Sequence, residues 1–255
     1  GLGFHFDADE MGEPEIRNFT PAEAWQMAKD DAVKWSNAFA EAGYHKQVYN
    51  RLTEPFQMIR VLVTATETDN FFWLRNDKAA DPTLQEQARC MWEAKQQSKP
   101  QVLKAGEWHL PFVEYYNEVF PDQFEEVGIL GPQQFFVGDL LGVDFQQLTQ
   151  EEAIKVSCAR CAATSFRNTD YDLAKSLQVY DRLVNGEKVH AGALEHTASP
   201  MQDTVGGVNQ AQFPDTWEQG VSHVDRAGQM WSGNFCEWVQ YRKLVPNECY
   251  KGNSQ

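Results

Sequence analysis

Three polar residues stand beside apolar runs in the first part of the chain: Arg51, Asn70 and Arg75. A guanidinium binds phosphate or carboxylate through paired, charge-assisted hydrogen bonds, so either arginine could hold an anionic ligand. Arg75 follows the apolar triplet at residues 72–74, and we expect such an arginine to be partly buried and to need an anionic partner. The alternative to a ligand is a salt bridge within the chain, to Glu67, Asp69 or Asp77.

A second group of titratable residues, His190, Glu195 and His196, lies in the C-terminal half. Histidine titrates near neutral pH and can donate or accept a hydrogen bond. The two histidines could therefore contact a ligand, or they could only satisfy nearby backbone groups. A Ser-His-Asp order, a glycine-rich phosphate loop and a His-Glu-x-x-His motif are all absent from the sequence, so it carries no hydrolase, NTPase or metalloprotease signature.

Five cysteines are an odd number, and a chain of 255 residues does not need disulfides to stabilise its core, so we expect reduced thiols. Cys158 and Cys161 form a Cys-x-x-Cys pair, but no second pair accompanies them at zinc-finger spacing. Residues three apart share one face of a helix. The pattern favours buried structural thiols over a metal or redox site, and we predict no metal.

The formal net charge is −15, from 37 acidic and 22 basic residues, which argues against a face that binds nucleic acid polymers. A small anionic ligand remains compatible with this charge, because one or two arginines suffice to bind it. No apolar run approaches the roughly 20 residues that span a bilayer, so no membrane association is expected. The acidic first residues do not resemble a secretory signal, and the expected location is cytoplasmic.

Capping residues and hydrophobic periodicity predict the helices and strands that position these residues. An extended lead-in should cover the first twenty or so residues, followed by a helix that Thr20, Pro21 and Glu23 open and Gly43 ends. The β-branched run from Phe56 fits a buried strand, although its length also permits a helical segment. Further helices are predicted over residues 46–52, 69–74, 83–97, 149–164 and 170–184, a loop over 199–229, and a strand over 235–244.

The run from Arg51 to Gln85 resembles the C-terminal half of the flavin-dependent thymidylate synthases, in which an arginine four residues before a proline precedes a strand and then Asn-Phe-Leu-x-Leu-Arg. In that family the first arginine binds the phosphate of deoxyuridylate (dUMP), the asparagine contacts FAD, and the last arginine holds the uracil ring and is catalytic. The resemblance assigns these roles to Arg51, Asn70 and Arg75. Asp81 departs from the pattern, since it stands where the family has glutamine.

Later segments resemble the N-terminal half of the same family, in the permuted order of its long, viral-type members. The run Val-Ser-Cys-Ala-Arg-Cys at residues 156–161 is similar to the family's Ala-Arg-Val-Ser segment. The run His-Ala-Gly-Ala-Leu-Glu-His is similar to the segment that contacts FAD, which implies cofactor roles for His190, Glu195 and His196. The arginine-rich family signature has no full copy; a partial match near the C-terminus implies that Arg242 binds substrate and Glu248 binds cofactor.

The resemblance implies an α+β fold with helices packed on a mainly antiparallel sheet, thymidylate synthase-like with permuted segments. It divides the chain at residues 1–19 (lead-in), 20–110 (C-terminal-half-like), 111–147 (irregular) and 148–255 (N-terminal-half-like), with 20–255 as one domain. The implied reaction is methylation of dUMP to dTMP with methylenetetrahydrofolate, NADPH and FAD. A homotetramer is expected, in the host cytoplasm if the protein is viral, and a separate chain could carry the missing signature. The alternatives are a pyrimidine nucleotide hydroxymethylase and a non-catalytic binding or assembly component.

Overall fold

The computed structural model describes residues 2–8, 14–122, 132–138, 144–166, 168–202 and 214–249, with side chains from residue 19 onward. The chain divides into two compact units, Gly1–Ile59 and Arg60–Gln255. About half of the described residues lie in helices, and the strands form small antiparallel sheets. The predicted α+β class is confirmed at this level. The finer predictions, a thymidylate synthase-like topology and the segment bounds at residues 19, 110 and 147, stay predictions.

The N-terminal unit begins with an antiparallel hairpin, in which β1 (Leu2–Ala8) pairs with β2 (Pro14–Phe19). The lead-in is therefore extended, as predicted, but its two halves pair with each other. The helix α1 (Pro21–Glu41) begins with a capping box, because Thr20 Oγ1 accepts from the Glu23 backbone and the Glu23 carboxylate accepts from Thr20 N. The helix α2 (Lys46–Thr53) follows. Both predicted helices are confirmed.

The run that the sequence predicts as a buried strand is neither buried nor paired. Residues 57–67 contain no strand, and Met58, Ile59, Val61 and Val63 are all exposed. After it come two helices, α3 (Asp69–Arg75) and α4 (Pro82–Gln97), and Asp81 caps α4 by accepting from Thr83 N and Leu84 N. The predicted buried strand is wrong, because a strand needs a neighbouring strand to pair with and this run has none among the described residues.

The core of the C-terminal unit is built around two helices and one sheet. The helix α6 (Gln150–Ala163) packs on α7 (Leu173–Val184), and Thr149 and Glu152 form the predicted capping box. The sheet consists of three antiparallel strands, β3 (Glu114–Tyr115), β4 (Phe135–Gly138) and β5 (Phe145–Leu148). A short helix, α5 (Tyr116–Val119), follows β3. Apolar side chains from α6, from β4 and from residues 108–113 form the main hydrophobic cluster.

The C-terminal elements are shorter than the sequence predicts. The predicted strand over 235–244 is broken into β9 (Phe235–Cys236), β10 (Trp238–Gln240) and a 3₁₀ turn (Tyr241–Leu244), because Glu237 adopts a φ of 62°. The predicted loop contains β6 (Ala198–Pro200) and β7 (His223–Val224) near its ends, and residues 203–213 lie outside the described part. β6 pairs with β10, and β7 pairs with β8 (Met230–Ser232) and through it with β9. No helix in the described residues has the length and apolar character required to cross a bilayer.

Candidate functional site

Two segments that lie far apart in sequence meet through one arginine. Glu195 belongs to the 3₁₀ helix Ala191–His196, and Arg242 to the turn Tyr241–Leu244. Arg242 donates from Nη1 to Glu195 Oε2 at 2.7 Å, and from Nε and Nη2 to Glu248 Oε2 at 3.1 and 3.0 Å. Lys243 Nζ donates to the other oxygen of Glu248 at 2.6 Å. Three of the residues predicted for the site therefore form one ion-pair cluster.

The cluster is partly desolvated and balanced in charge. The Glu248 side chain is 12% exposed and those of Arg242 and Lys243 about a quarter exposed. Burial alone would raise the pKa of Glu248, but the hydrogen bonds from Lys243 and Arg242 outweigh it and lower the pKa. The pKa of Arg242 is raised: burial opposes this, and the two carboxylates outweigh it. Two cations facing two anions leave little net charge to attract a phosphate.

His196 lies beside this cluster and is held by a residue of the exposed run. Its Nδ1 shares a hydrogen bond of 3.0 Å with Thr64 Oγ1. Burial lowers the pKa of His196, and the neighbouring Glu195 only partly opposes that effect, so the ring is neutral at pH 7. His190, in contrast, is exposed. Its backbone N–H donates a hydrogen bond to Leu183 O at 2.8 Å.

The three residues of the first motif are exposed. Arg51 lies in the last turn of α2, in the N-terminal unit, whereas Asn70 and Arg75 lie on α3, in the C-terminal unit. The prediction that Arg75 is partly buried is wrong, because Phe72 is the residue of α3 that packs inward, against Trp92 at 5.1 Å. Neither arginine forms an ion pair with a described residue, so the predicted salt bridge of Arg75 is not found there. Both guanidinium groups can accept an anion from solution.

A cleft of about 370 Å³ lies between the exposed run and the strands β9 and β10. It is called here the His109 cleft. It is lined by Thr64, Ala65, Thr66, Glu67, His109, Ala198, Phe235, Cys236, Glu237 and Trp238. Burial, followed by the charges of Glu237 and Glu67, raises the pKa of Cys236, so this thiol is not poised as a nucleophile. None of the predicted site residues lines this cleft.

The paired cysteines are structural. Cys158 and Cys161 are buried on α6, and burial raises the pKa of each thiol to about 12. Thiols with so high a pKa are protonated and unreactive at neutral pH. No group of three or more metal-binding side chains exists among the described residues.

Arg160 has a structural role that the sequence motifs did not predict. It is 4% exposed, and it donates to Tyr171 O at 2.8 and 3.0 Å and to Phe112 O at 2.5 Å. It also pairs with Glu114 at 3.2 Å. A buried arginine is stable only when its donors are satisfied, and here backbone carbonyls do most of this. The available signal was an arginine among the small and apolar residues 156–163 of α6. The role of Arg160 is to hold α6 against two loops.

The residues predicted to hold FAD do not fit that cofactor within the described part of one chain. Glu195 and Glu248 are both engaged by Arg242, and carboxylates repel the pyrophosphate of a dinucleotide. The His196 ring is bonded to Thr64, and Asn70 and His190 are exposed. These five residues form no common cavity with free donors for a flavin.

No protein-family model, curated protein sequence or solved structure matches the chain. The resemblance described above rests on the motifs alone.

Proposed function

We propose that this chain supplies the nucleotide-binding part of a flavin-dependent thymidylate synthase, which methylates dUMP at C5. The observation that carries the proposal is the meeting of Glu195 with Arg242, which are 47 positions apart in sequence. The two segments resemble the family independently of each other, and a chance resemblance would not require them to be in contact. The remaining flavin-binding groups would come from a segment outside this chain or from a second chain.

The resemblance implies two separate nucleotide contacts, Arg51 in the N-terminal unit and Arg75 in the C-terminal unit, and each is tested by its own variant. Arg51 binds the phosphate of dUMP, where a guanidinium is geometrically suited to a bidentate contact. Arg75 binds the N3/O2 edge of uracil and stabilises the negative charge that develops there when C5 becomes nucleophilic. The reaction that the resemblance implies uses methylenetetrahydrofolate, NADPH and FAD. Removing a preorganised donor of this kind raises the barrier by about 3 kcal/mol.

Binding of dUMP to the purified chain, measured by calorimetry, tests the nucleotide site without requiring turnover. We expect Arg51→Ala to weaken dUMP binding roughly tenfold or more, because one charge-assisted hydrogen bond contributes about 1.5–3 kcal/mol. Arg75→Ala should weaken binding less and abolish turnover in the complete enzyme. A suitable control is Arg182→Ala, since Arg182 is also exposed in the last turn of a helix. Unchanged affinity in both site variants would refute the assignment.

A second candidate is a non-catalytic binding component, and it is favoured because the predicted flavin residues form no common cavity with free donors among the described residues. The absorption spectrum of the purified protein distinguishes a flavin-dependent enzyme from a non-catalytic binding component. Bound flavin supports an enzyme, whereas dUMP binding without flavin supports a binding component or one part of a split enzyme. If the complete enzyme is active, mass spectrometry of the product distinguishes a methyl from a hydroxymethyl group, and with it thymidylate synthase from nucleotide hydroxymethylase.

A further inference from the structure

Residues 60–67 carry no helix or strand, bend at Thr66, and are attached by side chains to the rest of the C-terminal unit. Thr64 Oγ1 bonds His196 Nδ1 at 3.0 Å, and Thr66 Oγ1 accepts from the buried Cys236 N at 2.9 Å. Exposure alternates along the run, with Leu62, Thr64 and Thr66 half-buried and the residues between them exposed. This period of two is the pattern of a β-strand with one face on the protein.

The main chain of this run has no backbone partner in the part of the chain that the structure describes. No backbone–backbone hydrogen bond joins residues 60–67 to any described residue. The outward face is apolar, because Val61 and Val63 are 67% and 64% exposed. A segment whose backbone has no partner among the described residues, and whose β-branched side chains are exposed, can serve as a template for a further strand. A strand of eight residues spans about 25 Å at roughly 3.3 Å per residue, so a partner segment of about eight residues would match the run.

The charge beside the run indicates which kind of partner it fits. The His109 cleft adjoins residues 64–67, and its lining includes the acidic residues Glu67 and Glu237 and the aromatic Trp238, whereas Phe235 is only 2% exposed. No lysine or arginine lines it. Carboxylates and aromatic rings together favour a guanidinium or ammonium group. They disfavour a phosphate, so this cleft is not the nucleotide site.

We propose that residues 60–67 and the His109 cleft dock an extended polypeptide segment that carries an arginine or lysine. The segment adds a strand along residues 60–67, its apolar side chains cover Val61 and Val63, and its cationic side chain enters the cleft between Glu67 and Glu237. A basic partner is favoured over a second copy of this chain, because the chain has a net charge of −15 and self-association would bring acidic surfaces together.

Fluorescence anisotropy with two synthetic peptides tests this proposal. The probe is a capped nonapeptide of alternating valine and threonine with a central arginine, and the second peptide has glutamate in place of the arginine. We expect the arginine peptide to bind at least tenfold more tightly to the native chain. The double variant Glu67→Gln/Glu237→Gln should lose this preference while keeping its circular dichroism spectrum. Absence of binding at millimolar peptide, or equal affinity for both peptides, overturns the proposal.

The apolar part of the surface requires its own variants. Val61→Asn with Val63→Asn should weaken both peptides, whereas Val102→Asn should weaken neither, since Val102 is 89% exposed and lies outside the run. Sedimentation velocity tests whether a second copy of this chain occupies the surface instead of a peptide. A dimer that is lost in the Val61→Asn/Val63→Asn variant, together with no peptide binding, would show that the surface is a self-association interface and overturn the peptide assignment. The assay contains neither dUMP nor flavin, so its outcome is independent of the proposed function.

Discussion

Glu248 accepts hydrogen bonds from Arg242 and Lys243 while it is 12% exposed. At such a position the carboxylate stabilises the fold only in its ionised form, because the protonated acid would lose both charge-assisted contacts. Removing one member of a desolvated cluster also leaves the remaining charges without a partner. The residue therefore holds the C-terminal turn in place, whatever ligand the neighbourhood binds.

We expect Glu248→Gln to lower the free energy of unfolding by about 1–3 kcal/mol at pH 7, measured by urea titration. The pKa of Glu248 in the folded protein lies below its ordinary value of 4.5, so its contribution is complete above that pH and is lost as the pH falls through the lowered pKa. The difference between native and variant chains should shrink accordingly in acid. Glu86→Gln is the control, because the pair of Glu86 with Arg89 is exposed. Equal losses in the two variants would contradict this expectation.

His196 gives a second dependence on pH. Burial lowers its pKa below 6.5, so the unfolded chain takes up a proton before the folded one does as the pH decreases. Stability should therefore fall when the pH is lowered from 7 toward 5, and His196→Gln should reduce that fall. Thermal unfolding at several pH values measures the effect, with His190→Gln, at an exposed position, as the control. A pH profile that His196→Gln leaves unchanged would be inconsistent with a buried neutral ring.

At the scale of elements, the run 60–67 is held by threonine side chains in place of a backbone ladder. Thr66 matters most, because it satisfies the N–H of Cys236, a residue that is 4% exposed. Thr66→Val should leave that N–H without a partner, which costs about 1–3 kcal/mol, and should speed hydrogen exchange at the Cys236 amide. Thr68→Val should have little effect, since the Thr68 hydroxyl accepts only from the exposed Lys95. Equal exchange of the Cys236 amide in the two variants would argue against this anchoring role.

Helix positions could be predicted from the sequence because their signals are local. The capping boxes at Thr20 and Thr149 involve residues three apart, and both helices begin where those signals lie. The prediction of a buried strand after Phe56 is wrong, because burial depends on a partner strand that the residues of this run do not specify. The contact of Arg242 with Glu195 spans 47 positions, so no local pattern contains it. Motif resemblance selected both residues, but only the folded chain brings them together.

At the scale of the whole molecule, burial is distributed unequally between the two units. Among residues 19–59 of the N-terminal unit only Ser36 is buried, and Trp25 and Trp35 on α1 are 57% and 58% exposed. The main hydrophobic cluster lies wholly in the C-terminal unit. Since apolar burial is the dominant stabilising contribution, the two units should differ in stability.

We expect urea to unfold the N-terminal unit first. All five cysteines lie in the C-terminal unit, where Cys90 and Cys249 are exposed and the other three are buried. Two thiols should therefore react rapidly with a thiol reagent in the native protein. The helical circular dichroism of α1 and α2 should be lost at a urea concentration where Cys158, Cys161 and Cys236 are still unreactive. Limited proteolysis at that concentration should cut before residue 60 and leave the remainder intact. A single transition, with helix loss and exposure of the three buried thiols coinciding, would instead mean that the two units unfold as one cooperative structure.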